Sequence, residues 1–300
     1  MYSMDFDDLE CFVKIAELKS FTRAAESLFL TQPSISKKMA DLEKELGIPL
    51  VDRTKRRVEL TRAGESLLSR AKELLSMRRQ ILNEMKALSN PKAGGIRIGG
   101  SNIPGRYILP QILTLYKKRY EGVGVALCVS DSTDIVRRVE ASELDLGFVG
   151  IRPRSKDLES HRILKDRIVL IGPKGSPGEI ELRELKKFPL LSREVGSGTR
   201  RTFEQYLTRS GLLPQELRIV AELSDTEAIK KAVRHGLGLS YVSAMAIEDA
   251  VENGSITVIR VWGLEEVERY FYMIRKKGRS LSPQLRAFME TVKDWAKNET

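Results

Sequence analysis

The chain has 300 residues, 41% of them hydrophobic and 31% charged, and a net charge of +10. That length suits two domains at the usual ~150 residues each, and the composition is that of a globular protein with a proper core. No run approaches the ~18 apolar residues of a membrane span and the opening MYSMDFDDLE lacks a basic-plus-apolar leader, so a cytoplasmic protein with no membrane partner is expected.

Residues 1–62 hold 11 Lys plus Arg against 11 Asp plus Glu, so the positive charge there is local: Arg53, Lys55, Arg56 and Arg57 crowd into five positions. Ser20 is placed to cap a short helix containing Ala24, Ala25 and Leu28. After the polar turn Phe29–Pro33, Thr31 caps a second helix, where Pro33 fits because its missing N–H would be unpaired in a first turn. Ile35, Met39, Leu42 and Leu46 form one apolar stripe, and Gly47 closes the helix as a left-handed cap. The opposite face carries Pro33, Ser34, Lys37, Asp41 and Lys44, flanked at its N-terminal end by Gln32 and Ser36. Two short helices around a tight turn, the second exposing Gln, Ser and Lys at its start, are the helix-turn-helix plan for double-stranded DNA. Glutamine pairs bidentately with adenine, and serine is less selective. Leu50–Arg53 and Val58–Thr61 flank the basic run as a hairpin, hence a wing with Arg53, Arg56 and Arg57 against phosphate. A helical domain with a solvated loop fits the same pattern.

Five blocks in order carry a specific resemblance: Ser20–Leu28, Thr31–Lys37, Leu42–Gly47, Leu50–Arg53 and Leu60–Gly64. Together they resemble the LysR-type signature, with Val51 where that family usually has phenylalanine. The resemblance implies a winged helix-turn-helix over 1–62, with Thr31, Gln32, Pro33, Ser34, Ser36, Lys37, Arg53, Arg56 and Arg57 on DNA.

From Thr61 to Asn90 the chain reads as one helix. Leu67, Leu74, Ile81 and Leu88 recur every seven residues, with Leu68, Leu75 and Leu82 beside them and Ala71 and Met85 between. About 28 residues give roughly 40 Å, too long to bury both sides on a small domain, so a homodimer through this linker helix (63–94) is expected. Asn90–Gly95 then reads as a hinge.

Beyond Ile96 strands alternate with helices: strand Ile96–Gly99, helix Tyr107–Tyr120, strand Val123–Val129, helix Thr133–Ala141 and strand Asp145–Val149. Arg167–Gly172 opens a second set, Ala221–Ser243 gives strand, helix and strand, and Tyr270–Ile274 with the helix Pro283–Ala296 ends the chain. This pattern predicts a parallel α/β sheet in two lobes with a ligand crevice at the strand ends. Ser101–Asn102, Ser130–Thr133 and Arg193–Arg200 are the loops there, the last before a helix expected near Thr202. Glycines that let backbone N–H groups converge on a helix start suit an anion, though an ordinary capped loop has the same sequence.

Pro104–Pro110, Arg193–Arg200, Asp225–Ile229 and Gly236–Leu239 look like the effector domain of the same family, itself similar to type 2 periplasmic binding proteins. The resemblance implies an effector domain over 95–300, with lobe I at 95–168 and 269–300 and lobe II at 169–268. It places a small, anionic effector on Ser101, Asn102, Ser130, Thr133, Gly196, Ser197, Gly198, Thr199, Arg200 and Thr226. Ile103 and Pro104 offer fewer donors than the hydroxyls of many relatives, and the GSGTR loop is most like regulators of sulfur assimilation or carbon fixation. The fold class is thus α/β with an N-terminal winged helix-turn-helix, a long linker helix and a two-lobed Rossmann-like, periplasmic-binding-protein-like effector domain.

The implied partners are DNA, RNA polymerase and a homotetramer built as a dimer of dimers. A periplasmic solute-binding protein would leave the first 62 residues unexplained. An enzyme lacks a nameable nucleophile–base pair: His161 and His235 have no evident partners, and HExxH, GxxxxGK[ST] and GxSxG are absent. Cys11 and Cys128 read as core thiols, too few for the common zinc spacings. Catalytic residues, metal and cofactor are therefore expected to be none.

Overall fold

The computed structural model describes residues 4–52, 58–89 and 95–299. Two compact units divide the chain, one over Met1–Met85 with Ala141–Glu143, the other over Lys86–Glu140 and Leu144–Thr300.

In the first unit, α1 (Phe6–Leu18), α2 (Phe21–Ser27) and α3 (Gln32–Leu46) precede a two-stranded ladder of β1 (Val51–Asp52) and β2 (Glu59–Leu60), and α4 (Arg62–Ser89) follows. Each helix start is dictated by a side-chain acceptor for amides that have no partner within the helix. Asp5 accepts the Asp8 amide at 2.8 Å and Ser20 the Arg23 amide at 3.3 Å. Thr31 accepts from Ser34 at 3.4 Å, and Thr61 from Gly64 at 3.0 Å. The sequence reading did not include α1, yet its Phe12 and Ile15 sit at the centre of the core with Ile35, Met39, Leu42 and Ala71. Leu46 departs from the predicted stripe and is exposed, because Gly47 ends α3 in the left-handed region (φ 68°) just beyond it. Glu43 ties the ladder to α3 by accepting the Leu50 and Val51 amides at 2.8 and 3.1 Å. A side chain at Gly64 would put its Cβ 2.2 Å from the Leu50 carbonyl oxygen, which is why a helix start carries glycine there.

The second unit begins β3 (Gly95–Ser101), a single π-helical turn at Pro104–Ile108, α5 (Leu109–Arg119), β4 (Gly124–Ser130), α6 (Ser132–Glu140) and β5 (Leu146–Val149). Then come β6 (Leu158–Pro173), β7 (Glu179–Glu181), β8 (Leu190–Ser192), α7 (Gly198–Arg209), β9 (Ile219–Glu222), α8 (Thr226–Arg234), β10 (Leu239–Ser243) and α9 (Glu248–Glu252). β11 (Ile256–Trp262), β12 (Val267–Lys276) and α10 (Pro283–Asn298) complete it.

The strands run in the order β4-β3-β5-β12-β6-β10-β8-β9, with β11 joined to β6 and β7. The outer groups are parallel as predicted: β3 with β4 and β5, and β8 with β9 and β10. The centre corrects the all-parallel expectation, because β12 runs antiparallel to both β5 and β6, and β10 antiparallel to β6. The predicted lobe changes at 168/169 and 268/269 fall inside the single strands β6 and β12, which pass uninterrupted between the lobes. Each lobe has apolar packing on both faces of its sheet. In the first, Phe288 meets Tyr116 edge-on at 5.1 Å and Phe148 at 6.3 Å; in the second, Phe203 stacks on Tyr241 at 4.0 Å. No helix among the described residues is long and apolar enough to cross a membrane.

Candidate functional site

In the first unit, the start of α3 presents Thr31, Gln32, Pro33, Ser34 and Lys37 as exposed side chains, with Ser36 half-buried behind them. The Gln32 amide donates to Ser36 Oγ at 3.0 Å, and the Thr31 and Ser34 hydroxyls share a hydrogen bond at 2.8 Å. These local bonds hold the polar end of α3 in one arrangement. Lys38, one residue on, turns away to Asp8 at 2.9 Å. The hydrogen bond that Lys38 donates to Asp8 raises the Lys38 pKa and keeps it charged. Arg53, Arg56 and Arg57, the predicted wing contacts, lie outside the described residues. Buried Cys11 has its thiol pushed up by burial, against any redox role. Cys128 packs against the core of the second unit but is only half-buried, and it receives a hydrogen bond from Arg138 at 3.2 Å, so of the two expected core thiols it is the less enclosed.

In the second unit a narrow cavity of about 10 Å³, the space of roughly one water, lies between the lobes. From one lobe come Ser101, Asn102, Ile103, Asp131 and Ser132; from the other, Arg193, Glu194, Ser197, Gly198 and Thr199. Arg269 and Phe271 of β12 form its floor. Two helices start at this point. Asp131 caps α6, its Oδ1 accepting the Thr133 and Asp134 amides at 2.8 and 2.9 Å, and Ser197 caps α7. The second helix therefore begins at Gly198, four residues before the predicted Thr202.

The glycines serve close approach. A Cβ at Gly196 would stand 2.3 Å from Asp131 Oδ1, and one at Gly198 3.0 Å from Ser132 Oγ. Neither has the positive φ of a left-handed loop, so space alone excludes a side chain.

Of the predicted effector residues, Ser101, Asn102, Ser197, Gly198 and Thr199 line the cavity. Ser130, Thr133, Gly196, Arg200 and Thr226 do not. Ser130 is engaged with Asp134, and Thr133 reaches the Gly196 carbonyl at 3.5 Å. Arg200 turns outward to Glu204 at 2.7 Å and Glu222 at 2.8 Å. Thr226 stands behind Arg193, accepting its Nη1–H at 2.9 Å.

The charge comes instead from two arginines the prediction left off the site. Arg193 is 2% exposed and paired in a fork with Glu194, at 2.8 Å for both contacts. Arg269 is 7% exposed; its Nε donates to Asp166 at 2.8 Å and its Nη1 to Thr199 at 3.0 Å. Burial pulls the Arg269 pKa below its ordinary value, and Asp166 opposes that pull. Its Nη2 is buried without a hydrogen-bond partner among the described residues, as is Asn102 Oδ1. A buried guanidinium N–H left unsatisfied costs about 1–3 kcal/mol, so Arg269, at the border of the cavity, keeps a donor that an incoming water or ligand oxygen would satisfy.

Beside the cavity the two lobes are latched. Arg106 pairs with Asp225, the Tyr107 hydroxyl donates to Glu227, and Asn102 donates to the Ser224 carbonyl at 3.4 Å. Lys230 supports Glu227 at 2.7 Å. Burial opposes ionising Asp225 and Glu227. For Asp225 the Ala228 amide and Arg106 outweigh it, and for Glu227 Lys230 and Tyr107 do, so both carboxyls sit below their ordinary values.

Family models match both units: "Bacterial regulatory helix-turn-helix protein, lysR family" over residues 6–65, and "LysR substrate binding domain" over 89–297. The chain is 32% identical to the HTH-type transcriptional activator CmpR of Synechocystis sp. over 97% of its own length and 95% of the relative's. It is also 32% identical to the RuBisCO operon transcriptional regulator of Allochromatium vinosum, over 95% and 94%. Its fold is similar to the regulatory domain of Synechocystis PCC6803 CcmR, solved in complex with 2-PG. That likeness has a TM-score of 0.62 and 25% identity, and covers 68% of this chain and 98% of that one. With both units matched and relatives aligned almost end to end, the chain belongs to the LysR family and is a DNA-binding transcriptional regulator, not an enzyme.

Proposed function

We propose that this regulator reads an interrupted palindrome through the α3 ends of a dimer and takes a small anion into the cavity between its lobes. The domain limits are those implied by the sequence: 1–62 for DNA, 63–94 for the linker and 95–300 for the effector. The observation that carries the effector reading is the buried, unsatisfied Nη2 of Arg269, set beside Ser197, Thr199 and the start of α7. A carboxylate, sulfate or phosphate oxygen accepts from such a donor, and a helix start adds favourable potential. The CcmR regulatory domain was solved in complex with 2-PG, which makes 2-PG the first ligand to try here.

The exposed apolar residues of α4, Leu74, Met77, Ile81, Leu82 and Met85, support its role as the dimer seam. A dimer of dimers bound to two sites, contacting RNA polymerase in the cytoplasm, completes the reading. An anion that binds one lobe arrangement better than the other shifts the equilibrium between them and so the subunit spacing on DNA.

The test is a calorimetric titration of the full-length protein with 2-PG, phosphate and sulfate, with bound genomic fragments then sequenced with and without the ligand that binds. Ligand at 100 times its Kd stabilises by about 2.7 kcal/mol, a rise of several degrees in melting temperature. Ser197→Ala with Thr199→Ala is expected to abolish both the binding and the change in recovered fragments while leaving DNA binding intact. A double variant that still binds the anion as wild type does would remove this cavity from the reading.

A further inference from the structure

A second and larger cavity runs along α7, β6, β12 and the segment after β5, enclosing about 820 Å³. Arg152, Arg154, Arg162, Arg201 and Arg209 line it, all exposed, and Arg269 borders it as well as the narrow cavity. The placement follows from local structure. Arg201 and Arg209 stand eight residues apart on α7, with Gln205 midway, so the spacing of four keeps them on one stripe. Arg162 lies on β6 in register with Tyr272 of β12.

The charge here is uncompensated. Among the described residues none of these five arginines has a carboxylate within ion-pair distance. Glu268 is the one acidic residue in the lining, and it is taken up by Lys165 at 2.7 Å. Two of the forks are steadied by aromatic faces: Arg162 lies 4.5 Å over Tyr270 and Arg209 5.6 Å over Tyr206. Five like charges around one concavity repel one another, and a folded protein ordinarily answers such a cluster with acidic neighbours. Every cation of the exposed set is arginine, whose planar fork matches two oxygens at once, where lysine would supply a point charge. The volume falls within the ~300–1,000 Å³ of small-molecule sites and its concave form excludes the convex face of a duplex.

We infer that this cavity is a second anion site, for a small metabolite carrying two or more phosphate groups, separate from the narrow cavity between the lobes. Arginines on three elements reach a chain of phosphates in a way that one tetrahedral anion would not use. Because Arg269 borders both cavities, occupation of one alters the field at the other, and any such coupling acts equally in both directions.

The experiment titrates the full-length protein with inorganic tripolyphosphate and, separately, inorganic phosphate, at about 150 mM salt to screen loose surface attraction. Tripolyphosphate is expected to saturate one site per chain and to bind about tenfold or more tighter than phosphate. Arg152→Ala with Arg201→Ala should weaken it by about tenfold or more, whereas Arg183→Ala with Arg286→Ala, an equal loss of charge outside the cavity, should change it by less than about twofold. Equal weakening by the two pairs would show a general polyanion attraction and overturn the site. Phosphate binding as tightly as tripolyphosphate would also overturn it. Ser101→Ala with Asn102→Ala, which line the narrow cavity and not this one, should leave tripolyphosphate affinity unchanged. Loss of affinity in that variant would place the ligand in the narrow cavity and refute a second site, whereas failure of the narrow cavity to bind 2-PG leaves this result untouched.

Discussion

An alanine at position 196 would set its Cβ 2.3 Å from Asp131 Oδ1, and Asp131 is not free to yield because it caps α6 through two amides. Either the cap breaks, at about 1 kcal/mol, or the loop withdraws from the other lobe. Gly196→Ala is therefore expected to weaken anion binding by about tenfold and to cost roughly 1–2 kcal/mol of stability, read by calorimetric titration and thermal melting. Unchanged affinity and melting together would show that the loop does not need its close approach. At the other end of the chain, Gln32 and Lys37 separate two kinds of DNA contact. Gln32→Ala should cost about 1–3 kcal/mol at one base position and relax the preference there. Lys37→Ala should weaken binding evenly over sequences and lower the salt slope by about one. Competition binding over a set of single-base site variants at several salt concentrations distinguishes them; identical profiles for the two variants would refute the division. The glycines and hydroxyls of the 196–199 loop were legible because they are contiguous. Arg269 was not, because it reaches the same cavity from a strand some 70 residues later, and only the pairing of β12 with β6 sets which of its residues face inward.

Helices of the first unit were legible where a capping side chain announces them: Ser20, Thr31 and Thr61 each do. Gly47 announces an end. α1 was overlooked although Asp5 and Asp8 form a reciprocal cap at its start, because its near-continuous apolar run Cys11–Val13 hides the helical period. In the second unit only the Arg167–Gly172 end of β6 was legible, since Glu159–Arg162 and Asp166–Arg167 break its apolar pattern; one strand serving two lobes changes its surroundings along its length. α4 shows a third case, a helix whose pattern is legible and whose apolar repeat stays exposed along its later turns. Its Ala71 is fully buried in its own unit, whereas Ile81 is 51% and Met77 61% exposed; the side chain of Leu88 lies outside the described residues. If the exposed part is a seam between two copies, Ile81→Asp introduces a charge twice across the two-fold axis. At about 2 kcal/mol of uncompensated burial for each copy, dimer dissociation should rise about a thousandfold. Light scattering at micromolar concentration is expected to show a monomer, with DNA affinity falling as paired recognition is lost. An Ile81→Asp protein that remains dimeric would move the seam elsewhere.

At the scale of the molecule, two sequence blocks far apart in the chain meet: Arg106 and Tyr107 from the Pro104–Pro110 block reach Asp225 and Glu227. The resemblance marked both blocks as characteristic, but the sequence gives no sign that one holds the other. The pairing arises because the π-helical turn at Pro104–Ile108 and the start of α8 come from different lobes joined only through β6 and β12. This latch has a pH signature. Both carboxyls have folded pKa values below their ordinary ones, so their stabilisation is present above the ordinary carboxylate range and is lost as pH falls through the lower folded values. The melting temperature of the wild-type protein should consequently drop with acid over the range below about pH 4.5. Asp225→Asn with Glu227→Gln removes the titration while leaving an acceptor to cap α8, where Asp225 receives the Ala228 amide at 3.0 Å. In that variant the acid slope should be shallower than in wild type, although the neutral melting temperature is lower. The same variant should bind its anion with altered affinity at neutral pH, since the latch biases how far apart the lobes stand. Parallel acid slopes in the two proteins would mean that the latch contributes nothing to closure, and the bias between lobe arrangements would then rest on Arg269 and the two helix starts alone.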